Sequence, residues 1–142
     1  MIGAEIDIIV SDSLKALELY EKIFEVRRIE TADLEKGLNE AVFTIYGTRF
    51  HLLDENPEYG MTAVKPGDLK SVWFNIIVPD IAETFKKAAD SGCTEIQPLT
   101  EMKEMGVINA MFSDPYGIVW MLHQITKEIS FEDRMKAMGQ TE

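Results

Sequence analysis

The chain has 142 residues, 25 of them acidic and 14 basic, which gives a formal net charge of −11 with a hydrophobic share of 46%. That length supports a proper core in one domain, and the charge excludes nucleic acid or an anionic membrane surface as partner, since no cationic cluster exceeds Arg27-Arg28. Two histidines and one cysteine exclude a zinc-finger framework, a disulfide scaffold and a three-histidine metal site drawn from one chain.

The opening run MIGAEIDIIV lacks a preceding positive region and a small-residue cleavage site, so it reads as a strand and not as a signal peptide. No later segment reaches the roughly 18 apolar residues of a membrane span. Asp12 then precedes Leu14, Leu17, Tyr20 and Phe24, whose spacing of three or four predicts one buried helix face. RRIETA (27–32), AVFTIY (41–46) and GTRFHLL (47–53) read as strands, with Gly47 as a turn signal. Residues 55–70 contain Pro57, Gly60, Pro66 and Gly67 and read as a linker, long enough for a lid or docking role as well as for a plain tether.

The second half repeats the order. FNIIVPD (74–80) predicts a strand, and Asp80 with Glu83 fits a capping box before a helix carrying Ala82, Phe85 and Ala89. TEIQPL (94–99), VINAMF (107–112) and GIVWMLH (117–123) follow as strands, the last two separated by a turn at Ser113-Asp114-Pro115-Tyr116-Gly117. A C-terminal helix is expected over about 130–139, capped by Ser130, with Phe131, Met135 and Met138 packing on the body or on a partner subunit. The self-similarity is explicit: IDIIVSD matches FNIIVPD at offset 68, and GTRFHLL matches GIVWMLH at offset 70. The expected class is α+β, a single domain over 1–142 built from two βαβββ modules, 1–54 and 71–125, joined by the linker 55–70.

Paired modules of this kind with DPYG (114–117) before the last strand resemble the vicinal oxygen chelate superfamily, which includes glyoxalase I, extradiol dioxygenases, fosfomycin resistance proteins and bleomycin-binding proteins. FSDPYGIVWMLHQ and LELYEKIFEV are similar to its PhnB-like branch. The resemblance covers about residues 1–125 and implies the glyoxalase/bleomycin resistance fold, with concave half-barrel sheets, helices outside and a small-molecule cavity. It also implies a homodimer whose cavities combine modules of both subunits. In metal-using relatives one ligand comes from the first strand and one from the last strand of each module, and the corresponding positions here are Glu5, His51, Trp73 and Met121. Indole cannot bind a divalent cation, and a thioether suits hard or borderline ions poorly.

Side chains two apart share a strand face. Glu5, Asp7 and Ile9 therefore belong with Arg49, His51 and Leu53, and Trp73, Asn75 and Ile77 with Met121 and His123, while Ile6, Ile8, Val10, Phe50, Leu52, Trp120 and Leu122 back onto the helices. Three readings of Glu5 and His51 stay open: a metal pair, supplemented by His123 if the register allows; an ionic lining that orients an organic ligand, with Glu5 near His51 and Asp7 near Arg49; or an internally satisfied patch with no ligand. Trp73 and Met121 suit contact with a flat or apolar molecule, although a strand tryptophan also fits a core.

The function that follows is a PhnB-like protein with a cavity for a small organic molecule, cytoplasmic by its lone Cys93, without a complete metal site and needing no cofactor. One alternative is a lyase or dioxygenase that uses a divalent metal on Glu5 and His51 as a Lewis acid; another is a protein that sequesters a drug or metabolite by binding alone. The residues leave open whether the protein is an enzyme. No nucleophile elbow, P-loop or dinucleotide fingerprint occurs, and Cys93 reads as structural.

Overall fold

The computed structural model describes residues 2–139 and gives an α+β fold with two compact units. The first unit contains β1 (Ile6–Val10), α1 (Ser13–Ile23), β2 (Val26–Thr31), β3 (Glu40–Ile45) and β4 (Thr48–Asp54). Its sheet has the order β1-β4-β3-β2, with β1 parallel to β4 and the other pairs antiparallel. The second unit repeats the arrangement with β5 (Phe74–Ile77), α2 (Ile81–Asp90), β6 (Thr94–Met102), β7 (Val107–Ser113) and β8 (Val119–Ile125), in the order β5-β8-β7-β6, and adds α3 (Phe131–Gly139). Neither sheet closes on itself.

Both helices start the same way. Asp12 and Asp80 sit in extended backbone and accept the N–H of Lys15 and Glu83 at 3.1 Å, satisfying one of the free donors of each first turn. A second, long-range device recurs at the end of each module. The Asp54 carboxylate, the last residue of β4, accepts the Ser13 N–H at 2.8 Å, and Gln124 Oε1 accepts the Ile81 N–H at 2.9 Å. Thus the last strand of each module ties down the first residue of its own helix, and the repeat extends from sequence into hydrogen bonding.

The period-2 expectation holds in the ladders. Asp7 pairs with His51 and Ile9 with Leu53, and Asn75 pairs with Met121 and Ile77 with His123. The alternate residues Phe50, Leu52, Trp120 and Leu122 are buried, as is Val10, while Ile6 and Ile8 are half-buried. In the first unit Tyr20 of α1, Phe43 and Phe50 form one aromatic stack, with centroids 6.2 and 5.9 Å apart. In the second, Trp120 packs 5.5 Å from Phe74, and its indole N–H donates to buried Asp114 at 2.9 Å, which is the structural use of the DPYG aspartate. The glycine of the same motif is required too. Gly117 has φ +90°, and a Cβ there would lie 2.6 Å from the Lys65 carbonyl carbon, within the first unit, to which residues 115–118 belong.

The linker is more ordered than its composition suggests. Pro57–Tyr59 form a 3-10 turn capped by the Asn56 side chain, and Asn56 and Met61 make an isolated bridge. Val64 N–H then bonds to Ile9 O at 3.0 Å, which holds the segment against β1.

Candidate functional site

On the first unit the face opposite α1 collects charge. Arg49 Nε donates to Glu5 Oε2 at 2.7 Å, and the other oxygen of Glu5 lies 3.0 Å from His51 Nδ1. Since a carboxylate only accepts, Nδ1 carries the proton in that bond. Asp7 Oδ2 is 3.6 Å from the same nitrogen. The expectation placed Arg49 beside Asp7, but its hydrogen-bonded carboxylate is Glu5. The register explains the exchange: Asp7 stands directly opposite His51, so Arg49, two residues earlier on β4, meets the residue two before Asp7.

Electrostatics follow from these contacts. Hydrogen bonds from Arg49 and then His51 lower the Glu5 carboxyl to a pKa of about 2. Burial, and then hydrogen bonding to Glu5 and its charge, push Asp7 above its ordinary 3.8. Glu40, which the sequence reading did not single out, brings Oε1 to 3.4 Å from His51 Nε2, a buried atom with no aligned hydrogen bond. The signal was available, because Val42 pairs with His51 and Glu40 shares its strand phase.

Glu5, Asp7 and His51 form a group whose potential ligand atoms all lie within 4.8 Å of one another. A complete four-ligand centre is a different matter. Both oxygens of Glu5 are already engaged by Arg49 and His51, and the counterpart positions Trp73 and Met121 offer an indole and a thioether. These residues do not fit the four-ligand site of a hard or borderline divalent ion.

On the second unit the face opposite α2 opens into a cleft of about 1490 Å³. Asn75, Ile77, His123 and Ile125 supply its floor, the turn Lys103–Met105 one side, and Arg134 and Met138 of α3 another. His123 Nδ1 lies 2.7 Å from Asn75 Oδ1, and burial lowers the imidazole below its usual 6.5, which favours the uncharged ring. Nδ1 therefore donates to the amide oxygen, and Nε2 remains an acceptor. Trp73 precedes β5 and is 48% exposed, which removes the core reading for it. Met121 is half-buried opposite Asn75. The sequence reading gave α3 a packing role and did not foresee Arg134, because a lone arginine on an amphipathic helix carries no local signature. Cys93 matches its structural reading: burial, and then the charge of Asp114, push the thiol up to about 12.

Two βαβββ units with mixed sheets and outer helices define the glyoxalase type of α+β fold, and sequence comparison places the chain within it. Residues 4–122 match the Glyoxalase/Bleomycin resistance protein/Dioxygenase superfamily, and the protein belongs to that superfamily. Among curated relatives, the uncharacterized protein Mb0911c of Mycobacterium bovis is 27% identical over 136 residues, covering 93% of this chain and 89% of the relative. Among solved structures, FosX of Listeria monocytogenes, complexed with Mn(II) and sulfate, superposes with a TM-score of 0.69 at 17% identity, covering 97% of this chain and 99% of that one. A PhnB protein from Bacillus cereus gives 0.65 at 16% identity, covering 87% and 99%. These structural likenesses describe the fold.

Proposed function

We propose that the protein is a PhnB-like, small-molecule-binding member of the superfamily, organised as one domain, in which the Glu5–His51 pair is an ionic lining and not a complete metal centre. The carrying observation is the large open cleft on β5 and β8, where apolar side chains such as Ile77, Ile125 and Met102 alternate with polar ones, Asn75, His123 and Arg134 among them, and with exposed charged residues at its margin. Such a composition suits an organic ligand, with the polar groups setting its orientation. Glu5, Asp7, Arg49 and His51 form a second polar face, already neutralised in part by internal pairing. Trp73 and Met121 complete the proposed lining. A homodimer of cytoplasmic location is the assembly proposed with this reading, and the exposed Phe131 and Met135 of α3 offer apolar surface for it.

A second reading is favoured by one observation, the 4.8 Å grouping of Glu5, Asp7 and His51. FosX is a relative in fold that was crystallised with Mn(II). In that reading the ion is held by this partial set, in a lyase or dioxygenase. One experiment separates the two. Protein purified without chelator is analysed for metals and then melted with Ni, Zn, Mn and Fe salts and with a library of small organic molecules. The proposed function expects saturable stabilisation by organic compounds and no stoichiometric metal. A tightly bound stoichiometric ion, lost in His51→Ala, would overturn it.

A further inference from the structure

The cleft of the second unit has in its wall a cation, Arg134, that is unpaired among the described residues. Arg134 Nε is shielded from solvent and has no hydrogen-bond partner among the described residues. Its guanidinium carbon stands over the Phe131 ring, 5.8 Å from the centroid, within cation–π range. Arg28 and Arg49 are by contrast each bound to a glutamate, at 2.6 and 2.7 Å. In a chain with net charge −11, a partly buried arginine that has found no carboxylate among the described residues is the exception. Arg134 lines the cleft, and the group that a guanidinium without a carboxylate partner binds best is an oxyanion in its plane.

The rest of the cleft defines what such an anion would be attached to. Ile77, Ile125, Met102 and Met138 line it and are 59%, 54%, 41% and 55% exposed, so an apolar body has surface to cover. His123 is held through Nδ1 by Asn75, which leaves Nε2 of the uncharged ring to accept a hydrogen bond. Glu101, Glu104 and Glu128 also line the cleft, but they are exposed, as are Lys103 and Lys127 beside them. Exposed charges of both signs are screened by water and salt, whereas Arg134 is partly withdrawn from it.

We infer that this cleft takes an amphipathic organic monoanion: a carboxylate or similar oxyanion group bound by Arg134, and an apolar body lying on Ile77, Ile125, Met102 and Met138. A hydroxyl on that body would donate to His123 Nε2. The inference rests on the small-molecule reading and adds the chemical class of the ligand.

The test uses three probes with one apolar body, decanoate, decanol and decyltrimethylammonium, titrated calorimetrically into the full chain below their micelle-forming concentrations. Decanoate is expected to bind about tenfold more tightly than decanol, the scale of one charge-assisted pair. Arg134→Met should abolish that preference while decanol binding stays within about twofold, and Arg134→Lys should restore part of it. Far-UV circular dichroism of each variant checks that α3 is intact. Decyltrimethylammonium binding as tightly as decanoate would overturn the inference, as would an anion preference that survives in Arg134→Met. If none of the three probes binds, the small-molecule reading of the cleft fails with it, and that outcome is distinct from apolar binding without anion preference.

Discussion

Asp54 offers the sharpest test of how the first unit is held together. Its buried carboxylate accepts four hydrogen bonds: Ser13 N–H and Oγ–H on Oδ1 at 2.8 and 2.7 Å, and Gly37 and Asn39 N–H on Oδ2 at 2.9 and 3.1 Å. One side chain thus joins the end of β4, the start of α1 and the loop before β3. Burial alone would raise its pKa, but these donors hold it below the ordinary 3.8. Asp54→Ala strands the Ser13 donors, which are fully buried, and leaves the loop amides to find water. Unsatisfied buried donors cost about 1–3 kcal/mol each, so the expected loss is about 3–5 kcal/mol, a large share of a total stability of about 5–15. Asp54→Asn keeps one acceptor oxygen and turns an amide against the other donors, for about 2 kcal/mol. Because the folded pKa is depressed, the contribution is complete above the unfolded value and declines as pH falls toward the folded one. Urea unfolding followed by circular dichroism at pH 7 and at acid pH measures both. An Asp54→Ala variant within about 1 kcal/mol of the parent at pH 7, or a deficit that does not shrink in acid, would refute the reasoning.

Other consequences are as direct. Gly117→Ala combines a positive φ with a Cβ placed 2.6 Å from the Lys65 carbonyl carbon, and should cost about 2–4 kcal/mol in the same urea assay; a neutral result would mean the turn is not held against the linker. Arg49→Met removes the main cause of the low Glu5 pKa, so the Glu5 carboxyl carbon, followed by NMR, should titrate well above about 2 and nearer its ordinary 4.5; an unmoved midpoint would contradict the Arg49–Glu5 pair. Cys93, with its thiol pushed up to about 12, should react with a disulfide reagent at pH 8 about a thousandfold more slowly than an ordinary thiol near 9. A rate near that of free cysteine would show the thiol to be more open than its burial indicates.

Much of the site was legible because strands obey a strict alternation. Once IDIIVSD and GTRFHLL read as strands, Glu5 and His51 fall on one face, and in the parallel ladder Asp7 stands opposite His51 while Glu5 reaches it from one strand repeat away. The capping aspartates were likewise visible, since an N-cap bond spans three residues and depends on local sequence alone. Arg49 was assigned to Asp7 and bonds to Glu5 because a shift of one strand repeat changes which carboxylate lies within reach, and period-2 reasoning fixes the face without fixing the height along it.

The sequence by itself determined the α+β class, the doubled βαβββ order, the helix starts and the division of each strand into a core face and a polar face. These depend on periodicity and on contacts within a few residues. Only the tertiary structure decided that Asp54 and Gln124 lock the helix starts from more than forty residues away, that Glu40 approaches His51, and that α3 brings Arg134, unpaired among the described residues, to the wall of a cleft. The reason is physical. Which carboxylate finds a cation, and which cation finds none, depends on distances set by packing between elements, and those distances leave no mark in local sequence.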